Sequence, residues 1–120
     1  MLPKNYRLKN NTAFNATYKL KNVVSNKHFL LYLGAPVTEE TQTLKIGFVV
    51  SKKFHKRAVK RNRIKRLLRE VIRLKIKEGK LLDAQKLRSM IFIAKPPSVD
   101  LDYKSTEIAV NELLERIKVC

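Results

Sequence analysis

Apolar and polar positions change their spacing several times along the chain, and each change marks an element. Residues 28–33 (HFLLYL) alternate, with Phe29, Leu31 and Leu33 on one side and His28, Leu30 and Tyr32 on the other, so they predict a strand. Leu44 to Ser51 (LKIGFVVS) is a second strand, rich in β-branched residues; Gly47 inside it suggests a bulge or a close approach by another chain. From about 58 to 78 the spacing becomes helical, and Gly79 follows as a natural left-handed cap. Residues 89–95 (SMIFIAK) return to a strand, stopped by Pro96 and Pro97. A last helix spans about 103–118, with Asp102 as N-cap and Val110, Leu113, Leu114 and Ile117 as its apolar stripe.

The N-terminal part is less regular. Residues 1–10 read as a basic arm, and Asn10 or Asn11 caps a short helix over about 11–22, with Phe14 and Tyr18 one turn apart. Such a helix must dock on something to be stable. Gly34 to Thr43 reads as a solvated loop. The order is helix, two or three strands, helix, strand, helix: an α+β chain, about αβββαβα. It predicts a two-layer α/β sandwich of helices on a small central sheet, and residues 1–120 form a single domain.

Charge adds the functional direction. The chain carries 27 Lys plus Arg against 10 Asp plus Glu, a formal net charge of +17. Solubility asks for a magnitude of only about 2–8 on a small domain, and the excess opposes compaction. A surface so basic answers a polyanion. Lys52, Lys53, Lys56, Arg57, Lys60, Arg61, Arg63, Lys65, Arg66 and Arg69 fall within eighteen residues that contain no acid. Helix-stabilising pairs would interleave acids with bases, so this run repels itself until a partner neutralises it.

At about 100° per residue, Ile64, Leu67, Leu68, Val71, Ile72 and Leu74 share one sector of the long helix. Asn62, Lys65, Arg66, Arg69, Arg73 and Lys77 lie opposite, with Arg61 and Arg63 at the two edges of the apolar sector. One side packs on the sheet while the other offers guanidinium forks suited to phosphate. The helix N-terminus adds N–H groups and a partial positive charge. The apolar side has only Leu, Ile and Val, where a membrane-surface helix would show large aromatics. Zinc spacing, a heptad zipper and a helix-turn-helix pair are all missing, which weighs against duplex DNA. Basic groups near Tyr and Phe suit single-stranded RNA, whose bases stack on rings.

The remaining residues carry no self-contained chemistry. On spacing alone Phe14 and Tyr18 are more often core than a ligand platform. His28 and His55 stand far apart, and His55, inside the basic run, fits a phosphate contact better than a metal. Asp100 and Asp102 read as loop and cap rather than as a metal pair. Ser51 has no general base beside it, and Cys120 has neither a catalytic partner nor a disulfide mate. The lone cysteine, the polar N-terminus and the lack of a run of roughly 18–20 apolar residues lead to the expectation of a soluble, cytoplasmic protein without membrane association.

The run K-R-N-R-I-K-R-L-L-R-E, Lys60 to Glu70, resembles the signature helix of the protein subunit of bacterial ribonuclease P. Val49-Val50-Ser51-Lys52-Lys53 before it, the aromatic pattern of Phe14, Tyr18 and Phe29-Leu30-Leu31-Tyr32, and Ile91-Phe92-Ile93-Ala94-Lys95-Pro96 after it agree with that family. Two departures stand out: the link Phe54-His55-Lys56-Arg57 has no glycine, and Tyr18 replaces an apolar aromatic, although Tyr still stacks. The resemblance implies a ribosomal protein S5 domain 2-like fold with a left-handed βαβ crossover, against the right-handed hand that physics favours. It also implies a protein that binds the catalytic RNA of ribonuclease P and the 5′ leader of precursor tRNA, without an obligate protein partner. The endonucleolytic removal of the leader would be performed by the RNA, with Mg²⁺ held mainly by RNA and substrate. Phe14, Tyr18 and Tyr32 would line the leader cleft, with Lys52 and Lys53 at its edge. Lys56, Arg57, Lys60, Arg61, Asn62, Arg63, Lys65, Arg66 and Arg69 would complete the RNA-binding surface. A structural ribosomal protein and a dimeric DNA-binding regulator are the rival classes.

The charge pattern has a thermodynamic consequence. At low ionic strength the free chain should be only partly folded, and sulfate should fold it by binding the native arrangement of bases. Far-ultraviolet circular dichroism in sulfate, against chloride of equal ionic strength, checks this; identical responses would leave only screening.

Overall fold

Alternation in the second strand decides which side of the sheet becomes core. The structure, a computed structural model, describes residues 6–37, 44–51, 53 and 55–117. Four strands, β1 (Val23–Ser25), β2 (Phe29–Leu33), β3 (Lys45–Val49) and β4 (Ser89–Ala94), form one sheet in the order β1-β2-β4-β3. β1–β2 and β2–β4 are antiparallel, and β3 runs parallel to β4. The three helices are α1 (Asn11–Lys19), α2 (Ala58–Glu78) and α3 (Tyr103–Glu115), and α2 makes the crossover from β3 to β4.

Phe29, Leu31 and Leu33 point to the same side as Ile46, Met90, Phe92 and Ala94, and all seven are buried. Ile64, Leu68, Val71 and Ile72 of α2 and Ala109, Val110, Leu113 and Leu114 of α3 close the core over them. Each such Leu or Ile contributes on the order of 1.5–3 kcal/mol. α2 ends at Gly79, where φ 68° and ψ 32° are left-handed. The Gly79 N–H donates to the Ile76 carbonyl and the Lys80 N–H to that of Lys75, a paired stop that a β-carbon would strain. Asn10 and Asp102 cap α1 and α3, their side chains accepting from the Ala13 and Ser105 N–H groups.

Several expectations shift. The third strand before α2 is Val23–Ser25, too short to show a period. α1 stops at Lys19 rather than near 22 because Lys21 is left-handed, at φ 52°, and its N–H closes on the Tyr18 carbonyl. α3 stops at Glu115, where Arg116 and Ile117 tighten onto the Leu113 and Leu114 carbonyls; residue 118 lies outside the described residues. Within the expected solvated loop, Gly34 is buried and donates to the Ser89 carbonyl, and Pro36 bridges to Leu87; residues 38–43 are outside the described set. The basic arm is docked in its second half: Arg7 bridges Ile46, and Leu8 donates to the Ile46 carbonyl along the edge of β3. On α2, Leu67 and Leu74 are only half-buried, whereas Lys75 is buried, its aliphatic stem lying along the apolar layer.

α1 lies on the opposite side of the sheet from α2 and α3, over Ile91, Tyr32 and Gly47. Thr17, the only buried residue of α1, sits 2.6 Å, hydroxyl to hydroxyl, from Ser89 and donates to the Ala13 carbonyl or to Ser89. Gly47 makes no bulge, since β3 and β4 pair without interruption from Lys45–Ser89 to Val49–Ile93. The close approach comes from the chain's own Phe14: a β-carbon on Gly47 would stand 2.7 Å from its ring.

Gly47→Ala should therefore push the Phe14 ring out and cost about 1–3 kcal/mol, as overpacking does. Adding Phe14→Leu should recover part of that loss, because the two sites share one space. Urea unfolding of the single and double variants checks it; strictly additive losses would mean that the ring and the strand do not compete.

Candidate nucleic-acid interface

α2 starts without a side-chain cap and without an acid in its first turn. Its first N–H groups and its positive dipole end therefore face outward among cations. Arg61 folds back over this end, one terminal nitrogen donating to the carbonyls of His55 at 2.8 Å and Lys56 at 2.9 Å. The guanidinium predicted as a phosphate fork thus also ties down the link before the helix. The Nδ1 of His55 accepts from the Arg57 N–H at 3.0 Å, which in the neutral ring puts the proton on Nε2. These side-chain bonds hold the backbone of residues 55–57.

Along the helix, Asn62, Arg66 and Arg69 are exposed, and Arg61, Arg63 and Lys65 are half-buried. Lys60 stands 3.6 Å from Asp100, and Asp102 is the cap of α3, so both aspartates serve local structure. Lys53, Lys56 and Arg57 are exposed ahead of the helix; Lys52 lies outside the described residues.

The three aromatics predicted as a cleft form one row. The Phe14 and Tyr18 rings are 6.5 Å apart, and Tyr18 meets Tyr32 edge-on at 4.9 Å and 85°. All three are half-buried. Sheet register puts Leu30, Val49 and Ile93 on the same side as Tyr32, also half-buried. These aliphatics extend the cleft floor, and sequence reading missed them. Their signal was the alternation that pairs Leu30 with Tyr32. Burial pushes the Tyr18 phenol above its ordinary value of 10.0, and Tyr32 beside it adds to the rise.

Cleft and helix meet at the β3 edge. A pocket of about 260 Å³ there has Phe14, Gly47 and Phe48 as apolar wall and Lys9, Lys65 and Arg69 as basic rim. It joins the aromatic row to α2, which linear order could not show, since Lys9 and Arg69 are sixty residues apart.

Residues 2–118 match the family model of ribonuclease P. The chain belongs to the ribonuclease P protein family. The ribonuclease P protein component of Finegoldia magna is 39% identical over 110 residues, covering 91% of this chain and 88% of that one. That of Bacillus velezensis is 36% identical over 116 residues, covering 96% and 91%. Among solved structures, the Staphylococcus aureus RNase P protein superposes with a TM-score of 0.74 at 30% identity, covering 92% of this chain and 93% of that one. As a ribonuclease P subunit the chain serves tRNA 5′ processing within an endoribonuclease holoenzyme, in partnership with the ribonuclease P RNA.

The Tyr18 environment sets a pH test. Burial favours the neutral phenol, so its contribution to stability is complete below pH 10 and is lost as pH rises through the raised folded value. Between pH 8 and pH 11 the melting temperature of the native chain should fall further than that of Tyr18→Phe, which has no phenol to ionise. Equal falls would mean that the ring is solvated in the fold.

Proposed function

We propose that this ribonuclease P protein binds the catalytic RNA through α2 and the single-stranded 5′ leader of precursor tRNA through the cleft of Phe14, Tyr18 and Tyr32. The observation that carries this reading is the continuous row of half-buried rings on the sheet side opposite the core, running to the basic rim of Lys9, Lys65 and Arg69. Rings offer stacking to any base, and the cations follow the phosphates, a combination suited to an unpaired strand of variable sequence. Lys53, Lys56, Arg57, Arg61, Asn62, Arg63 and Arg66 extend the same field to the larger RNA, with Lys52 beside them in the sequence.

Cleavage belongs to the RNA in this reading. Metal-activated attack of water on a phosphodiester needs a cluster of hard ligands, and the described residues bring no three His, Cys, Asp or Glu side chains together for one. In this reading the Mg²⁺ of the family reaction is held by RNA and substrate. The protein's contribution is to keep the leader extended and to neutralise phosphates where two RNAs meet.

Tyr18→Ala and Tyr32→Ala should each weaken binding of precursor tRNA by the holoenzyme by about 1–3 kcal/mol, the size of one base–aromatic stack. Mature tRNA, without a leader, should bind as before, and so should the catalytic RNA. Melting of each variant must be measured alongside, because loss of a core ring costs about 3–5 kcal/mol and would weaken every activity together. Equal losses for precursor and mature tRNA in folded variants would remove the leader from this cleft.

A further inference from the structure

A second groove runs along the other flank of α2, where the helix meets the start of α3. Arg63, Arg66, Leu67, Arg69, Glu70 and Tyr103 line about 510 Å³ of it. Periodicity assigned Leu67 to the core, but its half-buried side chain floors this groove. Glu70 is the only acid between Lys52 and Lys77. Arg73 holds its carboxylate at both oxygens, at 2.6 Å and 3.1 Å, so that acid is already neutralised by a residue outside the groove lining. Arg63 reaches the Val99 carbonyl only at 3.4 Å; Asp102, which caps α3 through the Ser105 N–H, also acts on Arg63 electrostatically, and Glu107 acts on Tyr103. Three guanidiniums therefore border an apolar floor, and Asp102 offsets only that of Arg63 in part.

Tyr103 gives the groove its character. Its hydroxyl is hidden from solvent and has no hydrogen-bond partner among the described residues, yet the residue borders the groove. With the oxygen covered, what Tyr103 presents to the groove is ring carbon. A flat apolar surface ringed by guanidiniums matches a nucleotide, with the base on the ring and the phosphates on the rim. Arg69 borders both this groove and the pocket at the β3 edge, so it stands on the ridge between them.

We propose that the groove between α2 and α3 receives an unpaired nucleotide of the ribonuclease P RNA, its base on Tyr103 and Leu67 and its phosphates on Arg63 and Arg66. This rests on the reading of α2 as the RNA-facing helix. It adds that the two flanks of α2 serve different strands: the leader on the cleft side and the catalytic RNA on the α3 side.

The test uses the holoenzyme reconstituted from full-length protein and ribonuclease P RNA. Tyr103→Phe should keep the affinity for that RNA within about twofold, since only an unbonded hydroxyl is removed, and should not lower the melting temperature. Tyr103→Leu keeps apolar bulk but loses the ring, and should weaken assembly roughly 5- to 150-fold. Once assembled at saturating protein, it should prefer precursor over mature tRNA as before. Ultraviolet crosslinking of the unmodified holoenzyme, mapped by mass spectrometry, should join Tyr103 to the catalytic RNA, and this holds even if the Leu variant melts early. Native affinity in folded Tyr103→Leu, or a crosslink absent or only to the leader, overturns the proposal. Arg66→Ala separates the two levels. If it weakens assembly while Tyr103→Leu does not, the RNA-facing helix stands and the groove fails; if neither weakens it, both fail.

Discussion

The basic face of α2 is held against its own repulsion by Ile64, Leu68, Val71 and Ile72, all fully buried on the opposite side of the same helix. Everything else in the structure depends on that balance. Charges on one helix face cannot disperse unless the helix unwinds, and the burial of these four side chains opposes unwinding. The single acid between Lys52 and Lys77, Glu70, is matched to Arg73 and relieves little of the field around Arg63, Arg66 and Arg69. The result is a preorganised array of cations with few acids beside it.

The sheet separates a sealed side from a partly open one. Its core side carries α2 and α3 and is sealed by apolar side chains. The other side is only partly covered by α1, a nine-residue helix with one buried residue, Thr17. A short helix held by a hydroxyl contact to Ser89 and by a ring seated over Gly47 leaves the neighbouring sheet surface open. That is why Leu30, Val49 and Ile93 remain half-buried beside Tyr18 and Tyr32. An apolar, aromatic strip in reach of cations is costly to leave in water unless a ligand covers it.

The arm and the link show how local chemistry serves the same surface. Arg7 and Leu8 cover the outer edge of β3, an edge that would otherwise offer free backbone groups to another strand. Doing so brings Lys9 to the pocket where cleft and helix meet. Before α2, Arg61 and His55 fix the backbone by side-chain bonds, so part of the basic run is structural.

Elements that have a strong period or a punctuating residue could be read from the chain alone. α2 with its Gly79 stop, α3 with Asp102, and strands β2, β3 and β4 were legible because their apolar spacing and end signals are local. So was the basic side of α2, since a helical wheel needs only neighbours in sequence. Tertiary structure alone decided what depends on contacts between distant segments. β1 is three residues long and exists because Val24 pairs with Leu31. Gly47 reads as a gap until Phe14 fills it, and Leu67 reads as core until α3 leaves a groove above it. Lys9, Phe14, Lys65 and Arg69 become one pocket only after the arm, α1 and α2 pack around β3. Periodicity reports which side of an element is apolar; how completely a neighbour covers that side is set by packing geometry, which no local pattern encodes.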